Sequence, residues 1–419
     1  MLKAYKYEIF PTEYQKEVLS NLFGLNRLVW NLNLANWIKN FEDRKSKKIA
    51  ENDFYKIQNY KPILSTCNKS KEVLEALKTY GAGGWIASSS LNLSKALNNR
   101  FSKSRKINTG FPKFKSKHKG QSVTNCMCVG IKFRKGNEIF VSKNLGWMKF
   151  DNHRFCEGKI TGTTTISFDN GKYFLSIQVE TKSIKKNNNG KTVGIDWNCR
   201  DDAWLTLSDD KKIKCPRFML AAQKQLRKAQ KVLSRKFIQG SKDQSNNYYR
   251  QKYKVMKLHR KVANQRKDFL WKLAHDLCNK YQTIVFENIN LQTMAKTYKH
   301  NGLNHGRAIS DQGFGILRSL CEYLGHVEYV PSAYTSKKCN ACGEIADFVR
   351  VGVEEWVCPK CGVKHDRDVN AAKNILAIYE SRVGTSQTKK LAESSIESHK
   401  SQKTRKQEKF QDHGRGVSA

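Results

Sequence analysis

Four cysteines in the last quarter of the chain have the spacing of a metal site. They form two Cys-x-x-Cys pairs separated by 15 residues: Cys339, Cys342, Cys358 and Cys361. Thiolates at this spacing are typical of a zinc ribbon, in which they complete a tetrahedral coordination sphere and leave no open position for a substrate. A glycine follows each pair and suits a tight turn. The pattern predicts one structural Zn²⁺, although thiolates alone would also suit an iron–sulfur cluster.

Three acidic residues lie where a carboxylate can face a cleft. Asp196 and Glu287 each end a short apolar strand pattern, and Asp368 precedes a helical pattern. Such carboxylates can hold two divalent cations, which activate a water molecule and stabilise the leaving oxygen of a phosphodiester. Oxygen ligands favour Mg²⁺ or Mn²⁺. These acids are therefore the candidate catalytic and metal-binding residues.

Other acidic residues compete for these roles. Asp201 and Asp202 follow the first candidate closely, and Asp366 lies two residues before Asp368. Each acid taken alone also fits a helix cap or an exposed surface position. Spacing does not choose between Asp366 and Asp368.

The charge of the chain indicates a polyanionic partner. Its 77 Lys and Arg against 37 Asp and Glu give a net charge of +40. Residues 217–281 alone contain 18 Lys or Arg and three Asp. Like charges at this density repel each other unless a polyanion lies against them, although a solvated helix surface is the simpler alternative. The candidate nucleic-acid contacts in these helices are Arg227, Lys228, Arg235 and Arg260.

Two further basic positions are candidates for nucleic-acid contact. In residues 110–120, cations alternate with aromatic and small residues, and Lys113, Lys115 and Lys117 could contact a nucleic-acid backbone. The alternative is a solvated loop. Arg367, between two acids, could hold a scissile phosphate or form a surface ion pair.

Periodicity predicts the elements that position these residues. A strand at 3–10 precedes a mostly helical region up to residue 100, and short strands at 121–181 suggest a small barrel or sandwich. A polar break at 185–190 follows. In the second half, the predicted strands are 192–197, 203–208, 283–286 and 326–331, and the predicted helices are two within 217–281, one at 313–324 and one from about 369 to 379.

Composition also bears on location. No apolar run approaches the roughly 18 residues of a membrane-spanning helix, and the first residues alternate like a strand and not like a signal peptide. The other eight cysteines are scattered singly, which favours reduced thiols over a disulfide framework. We expect a cytoplasmic protein, associated with the nucleoid of a prokaryote, that binds no membrane.

Several motifs together resemble the TnpB family of RNA-guided nucleases encoded by insertion sequences, which are similar to compact type V CRISPR effectors. The C-terminal motifs are Val193-Gly-Ile-Asp196, Ile284-Val-Phe-Glu-Asn-Ile-Asn290, Tyr334-Thr-Ser-Lys-Lys-Cys-Asn-Ala-Cys-Gly343, Cys358-Pro-Lys-Cys-Gly362 and Asp366-Arg-Asp-Val-Asn-Ala-Ala-Lys-Asn-Ile375. The N-terminal motifs are Phe10-Pro-Thr, Phe23-Gly, Arg27-Leu-Val-Trp-Asn31 and Gly110-Phe-Pro-Lys-Phe-Lys-Ser-Lys117. The resemblance spans about residues 1–380.

The resemblance implies an α+β multidomain protein. The implied parts are a β-barrel wedge domain at 1–10 and 111–184, a helical recognition domain inserted at 11–110, a RuvC-type, RNase H-like α/β nuclease domain at 191–335 and 363–380, and a zinc ribbon that binds target nucleic acid, inserted at 336–362. Composition adds a disordered basic tail at 381–419, where large apolar residues are almost absent.

The resemblance also implies the chemistry. The three metal-binding acids of the family correspond to Asp196, Glu287 and Asp368, which leaves Asp366 a supporting role. The implied activity is cleavage of double-stranded DNA beside a short flanking motif, guided by an RNA from the same locus, with two Mg²⁺ or Mn²⁺ ions and one structural Zn²⁺. We expect a monomer. The chain departs from the family pattern at Trp197, where a small or apolar residue is usual, and at Asn288, where Asp is common.

Other functions are compatible with parts of this pattern. A compact type V CRISPR effector would carry the same motifs. An RNA-guided repressor or transposase accessory protein would share the architecture, but a protein that does not cleave should lack one or more of the three acids. A DNA-joining transposase would need a tyrosine or serine module. A plain zinc-ribbon DNA-binding protein would leave the three acids without a role.

Overall fold

Two separate sheets organise the chain. The computed structural model describes residues 2–46, 74–75, 79, 83–101, 110–117, 120–125, 130–182, 186–200, 202–241, 243–291, 293–294, 306–349 and 353–384. The chain divides into two units, Met1–Ile184 and Lys185–Ala419. Each unit has its own sheet and its own apolar core.

Alternating apolar residues build the sheet of the first unit. Its strands are β1 (Leu2–Phe10), β2 (Gln121–Asn125), β3 (Lys132–Arg134), β4 (Glu138–Ser142), β5 (Gly146–Phe150), β6 (Lys159–Asp169) and β7 (Lys172–Glu180). All pair antiparallel in the order β2-β6-β7-β1-β5-β4-β3. Along β1, Tyr5, Tyr7 and Ile9 point into the core, as the period of two requires.

Two helices pack on this sheet. Helix α1 (Glu13–Lys45) begins at a capping box in which Thr12 and Gln15 satisfy each other's backbone N–H groups. Helix α2 (Gly83–Phe101) packs along α1. Leu19 of α1 and Ile86 of α2 lie in the same core as the strands. Parts of the predicted helical domain, residues 47–73 and 102–109, lie outside the described residues.

The sheet of the first unit is open, so the predicted barrel does not close within the described residues. Strands β2 and β3 are the two edges, and each pairs with one neighbour. Both helices contact β2, and β3 has three exposed residues only. The helices thus cover apolar surface that a closed barrel would bury by itself.

The second sheet has helices on both faces. Its strands are β8 (Thr192–Trp197), β9 (Leu205–Leu207), β10 (Lys212–Ile213), β11 (Thr283–Glu287) and β12 (His326–Val330), in the order β10-β9-β8-β11-β12. Strands β8, β11 and β12 are parallel, and β9 pairs antiparallel with β8. The helices are α3 (Phe218–Arg235), α4 (Asn246–Lys280), α5 (Gly306–Gln312), α6 (Phe314–Leu324) and α7 (residues 367–384). Ile195 and Phe286 pack with α4 and α6, whereas Val285 packs with Ile375 of α7 on the opposite face.

The end of α7 corrects one expectation. The helix continues to residue 384, so residues 381–384 of the predicted disordered tail are helical. Ser381 donates to the carbonyl of Ile378, and Arg382 donates to the carbonyl of Tyr329 at 3.4 Å, which holds the last turn against β12. Residues 385–419 lie outside the described residues.

Helices α3 and α4 confirm the prediction of two long helices within 217–281. A buried Asp311 joins them, because it accepts hydrogen bonds from the amides of Met219 and Leu220 and forms an ion pair with Arg266 at 2.9 Å.

No helix in the described ranges has both the length and the apolar character needed to cross a bilayer.

Candidate active site and metal centre

Asp196 and Glu287 lie side by side at the ends of two parallel strands. Ile195 of β8 is opposite Phe286 of β11, so the acids occupy the next position in the same register. Side chains alternate along a strand, so both acids face away from the core that contains Ile195 and Phe286. Each is only 8% exposed. The sheet thus places two desolvated carboxylates next to each other.

Helix α7 brings the third acid to the same face. Gly194 precedes the first acid by two residues, and a Cβ there would overlap the carbonyl oxygen of Ala372 and lie 2.8 Å from the amide nitrogen of Leu376. The helix therefore rests directly on the strand backbone, with Ala371 and Ala372 fully buried. Because Asp368 lies in the first turn of α7, this close approach places it beside the two strand acids.

The three carboxylates are electrostatically coupled. Burial raises the pKa of Asp196 well above its usual range, and the negative charges of Glu287 and Asp368 raise it further. Burial also raises the pKa of Glu287 and of Asp368. Three buried carboxylates that repel each other are stabilised by cations. This all-oxygen donor set fits hard divalent ions such as Mg²⁺.

Two of the three acids accept hydrogen bonds from neighbouring side chains. Asn198 donates to Asp368 at 3.3 Å, and Thr335 donates to Glu287. Asp366 accepts hydrogen bonds from the amides of Asp368 and Val369 and forms an ion pair with Lys212, so it caps α7. Its carboxylate is committed to the helix end.

Two arginines border the acids. The positive charge of Arg367 partly offsets the raised pKa of Asp196 and of Asp368, so this arginine lies near both acids. Its Nε is buried without a hydrogen-bond partner. Arg200 forms ion pairs with Asp202 at 2.9 Å and with Glu354 at 2.7 Å. The charge of Arg367 beside the three carboxylates suits a phosphate group.

The four cysteines converge on one point. All four Sγ atoms lie within 4.8 Å of one another, with 3.7 Å between Cys339 and Cys361 and 3.6 Å between Cys342 and Cys358. Sulfurs at the corners of a tetrahedron with Zn–S bonds of about 2.3 Å are about 3.8 Å apart. Of the described side chains, only these form a set compact enough to hold an ion as they stand. The arrangement suggests a structural zinc ion.

Backbone turns shape the cysteine module. Gly343 and Gly362 both have positive φ, and their amides donate to the carbonyls of Cys339 and Cys358, each at 2.9 Å. Strands β13 (Glu355–Val357) and β14 (Lys364–Asp366) form a hairpin that leads directly into α7. His365 lies with Nε2 at 3.0 Å from the Sγ of Cys339 and packs on Trp356. The module therefore continues into the helix that carries Asp368.

The predicted nucleic-acid contacts lie on two surfaces, one in each unit. In the first unit, Lys113 and Lys117 are exposed, whereas Lys115 lies 3.9 Å above the ring of Trp30 and burial lowers its pKa. Asn31 of α1 holds the backbone of this segment with two hydrogen bonds. On α3 and α4 of the second unit, Arg227, Lys228 and Arg235 are exposed, and Lys228 and Arg260 line a groove of about 830 Å³. Their contacts with nucleic acid stay predictions.

The close approach at Gly194 gives a testable prediction. We expect Gly194→Ala to destabilise the protein by about 1–3 kcal/mol, because the added methyl must push α7 off the sheet. The acid in the first turn of the helix would move with it, so the DNA cleavage that the sequence motifs imply should fall more than the loss of folded protein explains. Urea unfolding and cleavage rates at a temperature where the variant is folded measure the two effects.

Gly384→Ala is the matched control, because a Cβ there meets nothing within 4 Å at the other end of the same helix. Wild-type stability and cleavage in Gly194→Ala would contradict the close packing of strand and helix.

Three stretches of the chain match known families. Residues 176–297 match a family described as "Probable transposase", and residues 315–375 match the Cas12f1-like TNB domain. Residues 1–46 match a helix-turn-helix domain. In this structure, the described part of that last stretch is one strand and one long helix.

Relatives extend over nearly the whole chain. "Putative RNA-guided DNA endonuclease" of Streptomyces pristinaespiralis is 30% identical over 387 residues, which are 90% of this chain and 89% of the relative. "Putative RNA-guided DNA endonuclease InsQ" of Escherichia coli K12 is 30% identical over 395 residues, covering 90% of this chain and 92% of the relative. The Cas12f1 chain of a Cas12f1–sgRNA–target DNA complex aligns with a TM-score of 0.51 at 12% identity, covering 90% of this chain and 98% of that chain.

The fold and the site together define the class: an α+β multidomain protein with the fold of Cas12f1. Identity of 30% over 90% of the chain then establishes that the protein belongs to the TnpB family, and the resemblance in its motifs is confirmed.

The sequence does not reveal the contacts of three polar side chains in or beside the site. Asn198, Thr335 and Asn374 each make contacts in or beside the site. Thr335 and Asn374 lie inside the quoted motifs, so the signal was present, but nothing in the motif says which atom each polar side chain contacts.

Proposed function

We propose that the protein is an RNA-guided DNA endonuclease associated with a transposable element. The observation that carries this proposal is the convergence of Asp196, Glu287 and Asp368, buried on one face where two parallel strands end and α7 begins. Burial of three repelling carboxylates gives no benefit to folding, and it suits a site that binds cations. The relatives named as RNA-guided DNA endonucleases support the same activity.

In this proposal, the three acids hold two Mg²⁺ or Mn²⁺ ions. The ions would supply activation of water and stabilisation of the leaving oxygen during phosphodiester hydrolysis. The protein contributes orientation, because Thr335 and Asn198 hold two of the carboxylates. Arg367, whose positive charge acts on Asp196 and Asp368, contacts a phosphate of the bound strand. The cysteine module holds one Zn²⁺ and does no chemistry.

The net charge of +40 supports a nucleic-acid complex. A guide RNA from the same locus binds the basic helices α3 and α4 and the first unit, and double-stranded DNA is the target. Side chains of the first unit read a short motif flanking the target, and base pairing with the guide supplies the remaining specificity. The division into wedge, recognition, nuclease and zinc-ribbon domains, the monomeric state and the location in the prokaryotic cytosol and nucleoid belong to this proposal as well.

The experiment starts from cells that carry the native locus. The protein is purified with its bound RNA, the RNA is sequenced, and the complex is incubated with a plasmid library of targets matching that RNA and Mg²⁺. We expect one discrete RNA, cleavage beside a short shared motif, and loss of cleavage after RNase treatment. A heterogeneous RNA population together with RNase-resistant cleavage would contradict guidance.

The same assay separates the alternative functions. Guided binding without any cleavage would indicate an RNA-guided repressor. A guide transcribed from a neighbouring repeat array would indicate a CRISPR effector.

A further inference from the structure

The carboxylate of Glu287 is held by a residue of the loop that leads into the cysteine module. Thr335 is 3% exposed, and its hydroxyl donates to Oε1 of Glu287, which is 8% exposed. This hydrogen bond lowers the pKa of Glu287 against the effect of burial. A single hydroxyl therefore fixes the orientation of a buried carboxylate in the cation site.

The backbone of Thr335 is itself fixed by a buried amide on α7. Asn374 is 4% exposed, and its Nδ2 donates to the carbonyl of Thr335 at 2.8 Å and to the carbonyl of Lys338 at 2.6 Å. Lys338 directly precedes Cys339. One side chain thus joins the residue that orients Glu287 to the first cysteine pair.

A second amide one helical turn earlier completes the connection. Nδ2 of Asn370 donates to the same Lys338 carbonyl at 2.8 Å, and its Oδ1 accepts the amide of Asn340 at 2.9 Å. Asn340 also donates its own side-chain amide to Oδ1 of Asn374 at 3.2 Å. The turn between the first two cysteines is therefore fastened to α7 at two successive turns of the helix.

The backbone beside Thr335 is strained, which agrees with a constrained position. Tyr334 has φ of +62°, a conformation that bulky residues rarely adopt. The amides of Lys337 and Lys338 donate to its carbonyl at 3.1 and 2.9 Å and close the turn. Such strain persists when the surrounding contacts over-determine the conformation.

We propose that Thr335 and Asn374 are positioning residues that couple the zinc-binding turn to the cation-binding geometry of Glu287. The coupling rests on the proposed function, because that function assigns Glu287 to the cation site. The zinc module acts on the reaction through this chain of hydrogen bonds: the first cysteine pair fixes Lys338, Asn374 joins Lys338 to Thr335, and Thr335 orients the carboxylate.

The test measures cation binding directly. Electron paramagnetic resonance gives Mn²⁺ affinity of the full-length protein–RNA complex, and the Glu287→Gln complex gives the background that is not due to the site. Thr335→Val keeps the shape and removes the hydroxyl, and Asn374→Ala removes the clamp. We expect both to weaken the Glu287-dependent Mn²⁺ affinity by about 10–100-fold. Zinc content, measured by mass spectrometry, should stay at one ion per chain in Thr335→Val.

Two variants control for structural effects. Thr335→Ser retains the hydroxyl and should bind Mn²⁺ within about twofold of the parent. Thr283→Val makes the Thr-to-Val change at the buried first residue of β11, the strand that ends at Glu287, and should also bind Mn²⁺ within about twofold of the parent. Parental Mn²⁺ affinity in Thr335→Val would overturn the coupling while leaving the proposed function intact. Absence of any Glu287-dependent Mn²⁺ site in the parent would overturn both.

Discussion

Asp196→Asn is expected to lower DNA cleavage by at least about a hundredfold while leaving guide and target binding at parental levels. The negative charges of both other acids raise the pKa of Asp196, so Asp196 is the carboxylate whose loss most disrupts the cation site. Asparagine keeps the size of the side chain, and the position is on a strand whose pairing does not depend on the charge. Cleavage rates at saturating Mg²⁺ and target affinity by filter binding measure the two properties separately.

The same substitution is expected to stabilise the metal-free fold. The folded-state pKa of Asp196 is raised above its ordinary value of 3.8, so ionisation of this carboxyl opposes folding. The cost is absent below pH 3.8, grows as the pH rises from there towards the folded-state pKa, and is constant above that pKa. Relative to Asp196→Asn, the parent should therefore lose stability as the pH rises above about 4, and added Mg²⁺ should restore it by mass action.

Asp202→Asn provides a control of opposite sign. Asp202 is exposed, and its hydrogen bond with Arg200 lowers its pKa to about 2. The charged form of Asp202 therefore makes a small favourable contribution to folding, which is lost as the pH falls towards 2. Its loss should leave cleavage unchanged and should not raise the melting temperature. Thermal unfolding from pH 4 to 8 without added divalent cations compares the three proteins. Parental cleavage by Asp196→Asn would contradict the site assignment.

Loss of the metal from the cysteine module is the second large effect. Zinc binding in small modules contributes on the order of 10 kcal/mol to their folding. Cys358→Ser removes a buried ligand from a core that contains little besides the cysteines, Ala346, Val349 and Trp356. We expect the variant to lose its zinc and at least about tenfold of its cleavage, because the module precedes α7 and carries the turn next to Thr335.

Cys215→Ser is the matched control, since Cys215 is buried in the second unit away from the module. It should retain one zinc ion per chain and parental cleavage. Zinc content by mass spectrometry and cleavage rate decide the result. A Cys358→Ser protein that keeps a full zinc ion would show that the four sulfurs are not the ligands.

The elements that carry the acids could be predicted from the sequence. Strands β8 and β11 are short apolar runs, of which β8 ends one residue after Asp196 and β11 ends at Glu287, so their type and position follow from local pattern. The cysteine spacing predicts the module in the same way. The length of α7 could not be predicted from the sequence, because contacts with β12 extend the helix beyond the residues whose periodicity is clear.

Long-range contacts could not be predicted. Alternation predicts strands of the first unit, but whether β2 and β3 meet depends on helices α1 and α2 packing on the sheet. Asp311 looks like any surface acid, yet it is buried between α3 and α4. Gly194 is a glycine in a strand, and only the position of α7 explains it. Such contacts join residues far apart in sequence, and local pattern carries no information about them.

Replacing the guide segment of the bound RNA is the most direct test of RNA-guided cleavage. Complexes are assembled with two guides of unrelated sequence and incubated with one plasmid that carries both matching targets beside the same flanking motif. Cleavage is expected to follow the guide, at one target with each RNA, and to disappear for both with Asp196→Asn. Cleavage at the same position with either guide would contradict the account.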